Sequence, residues 1–448
     1  ARRLNSEQEL VRMSAWDGDL PGEPPRVEHS AARDFAIRVV RELRSAGFES
    51  LWAGGCVRDQ LLGKTPKDYD VATNATPDEV RQVFGRRRTI PVGAAFGVIT
   101  VLGRGDEGQI EVATFRRDAE YSDGRHPDSV SFSTAEEDAL RRDFTINGLF
   151  YDPIAERVID YVGGEADLGR GIVRAIRDPD ERIAEDKLRM LRAVRFAATF
   201  DFELEAATLA AVQRHAEAIV VVSAERIAQE LRRMLVDSRR VRAVRLLRET
   251  DLLPFVLPES ERLFHYDDGV ELPNAGRWER TLSLLAALRQ PTFATSLAAL
   301  VREMLALDDS ATDSLLAICG RWRLSNHEAK TAAFLLDNEE AIRRAVELPW
   351  PRVQRLLIAP SATELMSLAR AVVEAFDESP AGVEFCEEKL AQSPETLNPP
   401  PLVTGNELKA AGLKPGPRFR ELLEAIRDAQ LEGRLTTVEQ ALEWARNE

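Results

Sequence analysis

Apolar residues recur at helical spacing in the first clearly patterned part of the chain. In SAARDFAIRVVRELRSAGF, positions 35, 36, 39, 40 and 43 fall on one face of a helix with about 3.6 residues per turn. This spacing predicts an amphipathic helix that starts at Ser30 and ends at Gly47. The segment TPDEVRQVF predicts a second helix, since Thr76 suits the cap and Pro77 suits the first turn.

The pattern then changes from helical spacing to alternation. The runs TIPVG, FGVITVLG and QIEVATFR alternate in the way that half-buried strands do. From Asp178 onward helical periodicity returns and dominates the remainder of the chain. The order of these patterns predicts an α+β fold, with mixed strands and helices first and helices alone afterwards.

Composition and charge limit the classes of protein that this sequence can encode. The 448 residues are 44% hydrophobic and 30% charged, which is typical of a globular protein with several cores. No apolar run approaches the roughly 20 residues that span a bilayer, so we expect a cytoplasmic protein without a membrane partner. The three cysteines are far apart and lack zinc-ligand spacing, so we expect them to be reduced and buried.

Chemistry is concentrated in the stretch LWAGGCVRDQLLGKTPKDYDVAT, which begins at Leu51. A short apolar strand is predicted to end at Gly54 and Gly55, and a short helix to open directly after them. Free N–H groups at a helix start can bind a phosphate. KDYDVAT predicts a strand on which Asp68 and Asp70 point the same way. Two adjacent carboxylates suit Mg²⁺, which prefers carboxylate and phosphate oxygens.

Two further segments add candidate groups. Glu111 lies between Ile110 and Val112 on a predicted strand, where an acid is costly to bury unless it is paired or binds a metal. A salt bridge to Arg116 or Arg142 is the alternative. The segment LRRDFTINGLFYD then brings Arg142 close to the start of an apolar run, and a guanidinium matches phosphate oxygens well.

The segment DPDERIAEDKLRMLRAVRFAATF has charged residues at every third position of a predicted helix. These are Asp186, Arg189, Arg192 and Arg195. An ordinary ladder of salt bridges would have the same spacing. Alternatively, a carboxylate beside a guanidinium presents an acceptor and a donor, which complement the pairing edges of cytosine and adenine but not those of uracil and guanine.

These motifs together resemble one family. GG-x-VRD-x-LLG followed by D-x-D-x-AT, then RRDFT-x-N and ED-x-LR-x-LRA-x-RF, are similar to the motifs of class II tRNA nucleotidyltransferases and bacterial poly(A) polymerases, within the polymerase-β nucleotidyltransferase superfamily. The chain departs from the family pattern at Gly148, where alanine is usual. The resemblance implies a nucleotidyltransferase head followed by a helical neck, body and tail. The expected boundaries are 1–29 for an N-terminal extension, 30–177 for the catalytic head, 178–250 for the neck, 251–395 for the body and 396–448 for an RNA-binding tail.

The resemblance also implies roles for individual residues. Asp68 and Asp70 would hold two Mg²⁺ ions with help from Glu111, and Asp186 with Arg189 would select CTP and ATP. The remaining residues would contact the nucleotide: Gly54, Gly55, Arg58, Arg142, Asp143, Asn147, Arg192 and Arg195. The expected activity is addition of C, C and A to the 3′ end of tRNA.

Alternative activities remain open within the same family. A poly(A) polymerase, or an enzyme that adds only CC or only A, would carry nearly the same motifs. The polar segment 117–138 is predicted to be a mobile loop and resembles the flexible loop of the family, which is implicated in switching from C to A. The approach IPVGAAFGVITV is closer to the tRNA-specific members than to the poly(A) polymerases.

Overall fold

A computed structural model describes most of the chain. The described residues are 30–93, 96–118, 130–264, 276–306, 308–413 and 417–447. The chain forms two compact units, Ala1–Asp186 and Lys187–Glu448. The expected N-terminal extension and the centre of the expected loop lie outside the described residues. The finer division into head, neck, body and tail stays a prediction.

The first unit is built around one mixed sheet. The strands of the first unit are β1 Ser50–Ala53, β2 Asp70–Thr73, β3 Thr89–Gly93, β4 Val98–Leu102, β5 Gln109–Thr114, β6 Arg116–Asp118, β7 Val130–Phe132, β8 Phe150–Asp152, β9 Arg157–Ile159 and β10 Ile172–Val173. Within the described residues the sheet has seven of them, in the order β3-β4-β5-β2-β1-β8-β9, and β6 pairs separately with β7. Its helices are α1 Ala31–Ser45, α2 Gly55–Leu61, α3 Pro77–Phe84, α4 Ala135–Leu140, α5 Gly164–Arg170 and α6 Pro179–Glu185.

The two faces of this sheet are covered by different helices. Leu51, Phe115 and Phe150 form a buried cluster on one face with Ala135 and Ala139 of α4. Trp52 points to the opposite face because side chains alternate along a strand, and Arg33 of α1 lies over its ring. The buried residues of α1 are those at the predicted apolar positions, so this helix prediction is confirmed.

The predicted cap of α3 is also confirmed. The Thr76 hydroxyl accepts a hydrogen bond from the Glu79 N–H, and the Glu79 carboxylate accepts one from the Thr76 N–H at 2.8 Å. This reciprocal pair satisfies two N–H groups that the first helical turn cannot bond internally. The helix therefore begins where its sequence predicts.

Two of the sequence-based boundaries are wrong. The strand predicted over KDYDVAT begins only at Asp70, so Asp68 lies in the preceding bend. The segment 117–138 is not a loop throughout, since its ends form β6, β7 and the first part of α4.

The second unit is almost entirely helical, which confirms the predicted fold class. Its helices are α7 Arg189–Phe200, α8 Ala206–His215, α9 Ala224–Val236, α10 Arg240–Glu249, α11 Leu253–Val256, α12 Arg277–Ala287, α13 Phe293–Leu305, α14 Ala311–Arg321, α15 Asn326–Arg343, α16 Trp350–Leu357, α17 Ala362–Phe376, α18 Ala381–Leu390, α19 Pro394–Leu397, α20 Gly405–Ala410, α21 Pro417–Leu431 and α22 Val438–Asn447. One short strand, β11, covers Glu203–Leu204.

The second unit has a central helix and a separate core near its end. The central helix α13 is buried on nearly every face, and its Glu303 pairs with Arg280 and Arg302. A separate apolar cluster joins α20, α21 and α22. No single helix in the described part of the chain is long and apolar enough to span a bilayer, although α16 and α17, bent by 111°, reach that length and composition as a pair.

Candidate active site

Gly54 marks the point where several chain segments converge. It follows β1, caps α2 with a positive φ of 72°, and donates its N–H to the Leu149 carbonyl oxygen at 3.0 Å. A Cβ atom at this position would lie 2.7 Å from Nη1 of Arg142. The positive φ therefore favours glycine, and the absence of a side chain lets the Arg142 guanidinium approach the backbone here. Gly55 follows as the first residue of α2.

The strand order brings the predicted acids together near Gly54, at one end of the inner strands of the sheet. β2 pairs in parallel with β5, and the register places Asp70 opposite Glu111. Paired residues in neighbouring strands project from the same face of a sheet. Both residues are accessible to solvent near the ends of their strands, although neighbouring protein partly desolvates the Asp70 carboxyl group. Asp68 is exposed in the bend just before β2.

The electrostatics of Asp70 reflect this crowding of acids. Desolvation by the surrounding protein and the charge of Glu111 raise the pKa of Asp70 to about 6, from an ordinary value of 3.8. Arg142 opposes this rise, and Asp68 adds to it. Since like charges are brought together with little compensation, the site favours an added cation.

The carboxylates at this site suit a magnesium ion, which does not need to be coordinated by protein groups alone. Among the residues that the structure describes, no group of three or more acidic, histidine or cysteine side chains is arranged so that it could hold a metal ion by itself. Mg²⁺ does not need one, because it keeps several waters and binds one or two carboxylates together with substrate phosphate oxygens. Asp70 with Glu111, and Asp68 beside them, supply such carboxylates.

The raised pKa of Asp70 leads to a prediction for metal binding. Below about pH 6 the carboxyl group is protonated in the metal-free protein, so a proton competes with the metal. We expect the affinity for Mn²⁺, used as a paramagnetic probe for Mg²⁺, to fall about tenfold per pH unit below that point. Electron paramagnetic resonance titrations between pH 5 and 7.5, without nucleotide, measure this. An affinity that stays constant down to about pH 4 would contradict the prediction.

Arg142 is held beside the acids by three kinds of contact. Its Nη2 donates to Oδ2 of Asp138 at 2.9 Å, its Nη1 donates to the Asn147 carbonyl oxygen at 3.3 Å, and its guanidinium lies over the Phe150 ring. Burial acts to raise the pKa of Asp138, but attraction to Arg142 and Arg141 outweighs it and the pKa is lowered. Asp138 is therefore ionised and fixes the arginine near Gly54, where an anionic group could bind.

The other predicted residues of this segment form a hydrogen-bonded chain. Asn147 donates from Nδ2 to Oδ1 of Asp143 at 3.0 Å, and its Oδ1 accepts from Arg58. Asp143 Oδ1 also accepts the Phe144 N–H at 2.8 Å. Arg58 is buried and pairs with Asp59 as well. These contacts orient Asn147, and direct contact of any of these residues with a nucleotide stays a prediction.

The structure corrects the expectation for the base-selecting segment. Asp186 and the three arginines do not lie on one helix. Asp186 ends α6 with an extended backbone, φ −146° and ψ 104°, whereas Arg189 is the first residue of α7. The helical backbone stops at Glu185, and a turn at Lys187 and Leu188 precedes the start of α7. The face-sharing argument therefore applies only to Arg189, Arg192 and Arg195.

Arg192 and Arg195 have an internal acidic partner. Arg195 donates from Nε to Glu230 of α9, and Arg192 lies 3.8 Å from the same carboxylate. Glu230 is buried, and burial lowers the pKa of Arg195. Both guanidinium groups also lie over the Phe196 ring. These contacts fasten α7 to α9, and the roles of both arginines as nucleotide contacts stay predictions.

Two side chains that support this site were not predicted from the sequence. Asp138, which holds Arg142, falls within the segment that composition assigns to a loop. Arg182 is 4% exposed and donates a hydrogen bond to the carbonyl oxygen of Arg142. The spacing of Asp138 three and four residues before Arg141 and Arg142 was an available signal. Nothing in the local sequence indicates the contact of Arg182, since about 40 residues separate the partners.

Comparisons with known proteins identify the family of this chain. Residues 51–174 match the "Poly A polymerase head domain" family, and residues 201–264 match the "Probable RNA and SrmB- binding site of polymerase A". A CCA-adding enzyme of Enterococcus faecalis is 32% identical over 409 residues, which cover 91% of this chain and 94% of that protein. The chain belongs to the family of CCA-adding enzymes. As a family member it is a nucleotidyltransferase, which confirms the predicted class of enzyme.

Other CCA-adding enzymes show similar coverage. That of Levilactobacillus brevis is 32% identical over 416 residues, covering 91% of this chain and 96% of the relative. The structure of the Bacillus stearothermophilus CCA-adding enzyme in complex with CTP covers 94% of this chain and 99% of its own, with 27% identity and a TM-score of 0.73. The Thermotoga maritima enzyme complexed with tRNA, at 20% identity and a TM-score of 0.64, supports the fold alone. It covers 94% of this chain and 97% of its own.

Proposed function

We propose that this protein adds C, C and A in turn to the 3′ end of tRNA, using CTP and ATP and releasing pyrophosphate. The observation that carries the proposal is similarity to curated CCA-adding enzymes over nine-tenths of the chain. The Bacillus stearothermophilus relative at 27% identity binds CTP in its structure, which supports CTP as a substrate here. We place the reaction in the cytoplasm.

The acids near the ends of β2 and β5 would hold the metal ions. Asp68 and Asp70, with Glu111 opposite Asp70 in the register, would bind two Mg²⁺ ions. Bound there, Mg²⁺ supplies Lewis-acid chemistry, since it lowers the pKa of the attacking hydroxyl group and neutralises charge on the phosphate oxygens. The protein contributes by fixing the backbone of Asp70 and Glu111 in two paired strands.

The arginine beside them would bind the triphosphate. Arg142 is fixed by Asp138, and its fork of N–H donors matches phosphate oxygens. Gly54 leaves the backbone and Arg142 in close approach, with no side chain between them. Asp143 and Asn147, which share a hydrogen bond, would support the sugar.

Base selection would come from side chains in place of a nucleic-acid template. Asp186 offers acceptor oxygens for the amino group of cytosine or adenine, and Arg189 offers donors for the neighbouring ring acceptor. Uracil and guanine would place an acceptor against the acid and a donor against the arginine. A site built in this way rejects the wrong base strongly, because the mismatch leaves polar groups unpaired.

Poly(A) polymerase activity is the second candidate, because the match to the head-domain family carries that name. Activities limited to CC or to A are further alternatives. One experiment separates them all: incubation with CTP and ATP of tRNAs that end before CCA, after C, and after CC, together with an oligo(A) primer. We expect every tRNA to be completed to CCA and no further. Long A tails on oligo(A), or arrest after CC, would overturn the proposal in favour of the corresponding alternative.

A further inference from the structure

Arg182 is a buried arginine with an unusual set of partners. It lies on α6, and its side chain is 4% exposed. Its Nη2 donates to the carbonyl oxygen of Arg142 at 2.6 Å and also to that of Arg141, while its Nη1 pairs with Glu185. A charged group this deeply buried is costly unless its contacts compensate for lost hydration. Its partners include two backbone carbonyl groups as well as the Glu185 carboxylate.

Those carbonyl groups lie at the carboxyl end of α4. Arg141 caps this helix, and Arg142 is the next residue. The last carbonyl groups of a helix have no partner within it, and the helix dipole favours a cation there. Arg182 supplies both the donors and the charge, and thereby fixes the backbone from which the Arg142 side chain extends.

The position of the Arg142 side chain depends on the same helix end. Asp138, in the last turn of α4, holds the guanidinium through Nε at 3.2 Å and Nη2 at 2.9 Å. Asp138 is 1% exposed and also pairs with Arg141. Arg182 on the backbone and Asp138 on the side chain therefore restrain Arg142 from two sides.

The same contacts connect Arg142 to Asp186. Asp186 follows Arg182 by one helical turn, and its N–H points to the Arg182 carbonyl oxygen at 3.4 Å. The chain just before α6 is also joined to the segment after Arg142, since Thr145 N–H donates to the Arg174 carbonyl oxygen and Ile176 N–H to that of Asp143. All of these residues belong to the first unit.

We infer that Arg182 is a positioning residue that fixes the distance and orientation of Arg142 relative to Asp186. The inference rests on the proposed function, in which Arg142 binds the triphosphate and Asp186 reads the base. A nucleotide must meet both at once, so an error in their separation weakens binding and selection together. Displacements near 1 Å can cost about 10²-fold in rate.

The test replaces Arg182 with methionine, which keeps the length and the apolar stem but removes the donors and the charge. We expect the KM for CTP and for ATP to rise about tenfold, and the preference for CTP over UTP in kcat/KM to fall by a similar factor. The matched control is Arg170→Met, an exposed arginine of the same unit. Thermal unfolding is measured for each variant, so that the kinetic constants are compared only between folded proteins.

A merely structural role would have a different signature. It would lower the melting temperature and the active fraction, and so the apparent kcat, while KM and base preference stayed as in the control. That result overturns the inference. If Arg182→Met does not fold, Arg182→Lys carries the test, because one ammonium group cannot reproduce the fork; unchanged KM and preference in that folded variant also overturn the inference. Failure of the unmodified protein to add CTP would instead overturn the proposed function.

Discussion

Replacing Asp70 with asparagine is expected to lower the rate of CTP and ATP incorporation by about 10³-fold or more. Loss of a metal-binding carboxylate removes several kcal/mol of stabilisation of charge in the transition state, and about 1.4 kcal/mol corresponds to a factor of ten. Asparagine has nearly the same shape as aspartate, so the start of β2 should remain intact. Single-turnover incorporation into a tRNA lacking CCA measures the effect.

The fold should not suffer from this substitution. Since Glu111, Asp68 and desolvation all disfavour the ionised form of Asp70, a neutral amide removes repulsion and breaks no ion pair that the charge requires. We expect the melting temperature to remain unchanged or to rise slightly. This separates loss of chemistry from loss of structure.

The matched control is Asp106→Asn, which neutralises an exposed acid in a turn of the same unit. It should leave incorporation within about twofold of the unmodified protein, as most exposed substitutions do. Asp68→Ala should resemble Asp70→Asn in activity. Incorporation by the Asp70 variant within tenfold of the unmodified rate, at any Mg²⁺ concentration, would refute a metal role for this carboxylate.

The elements that could be predicted from sequence are those set by local rules. α1 has its apolar stripe at the expected positions, and α3 begins with the expected capping pair. Such features depend on residues within one or two turns of each other, so a short window contains the full cause. The convergence of Asp70 and Arg142 required family motifs as well, because strand order is set by contacts distant in sequence.

The predictions that failed depend on where regular structure stops. Asp68 was expected within a strand, but β2 begins at Asp70, the first residue with a register partner in β5. Asp186 was expected on the same helix as Arg189, and the backbone instead becomes extended between α6 and α7. Charge spacing is the same on either side of such a break, so the periodic pattern contains no sign of it.

The supporting residues could not be predicted for another reason. Arg182 bonds to carbonyl oxygens, and every residue has a carbonyl group, so no residue type signals the partner. The sequence also gives no sign that Arg182 is buried, since arginine is rarely fully buried unless it is paired. Only the three-dimensional structure reveals that this arginine donates to the backbone just after α4.

The second large effect is expected for base selection. Asp186→Ala should reduce the preference for CTP over UTP, and for ATP over GTP, by at least about 10²-fold in kcat/KM. A site whose side chains hydrogen-bond to a polar group of the substrate rejects an unsuitable analogue by a factor of about 10⁴–10⁵. Removal of the acid deletes one of the two side chains that would bond to the base. Competition between radiolabelled nucleotides on one tRNA acceptor measures the preference directly. Incorporation of CTP should also slow, because its amino group loses an acceptor.

The control for this change is Glu181→Ala, an exposed acid in the first turn of the same helix. It removes equal charge from α6 but lies a full turn and more away from Asp186, so selection should be unchanged. Unaltered preference in the Asp186 variant would refute the template role, even if the overall rate fell. A selective gain of UTP and GTP, with CTP and ATP reduced, is the pattern that only a lost acceptor explains, since general disorder of the site would slow all four nucleotides alike.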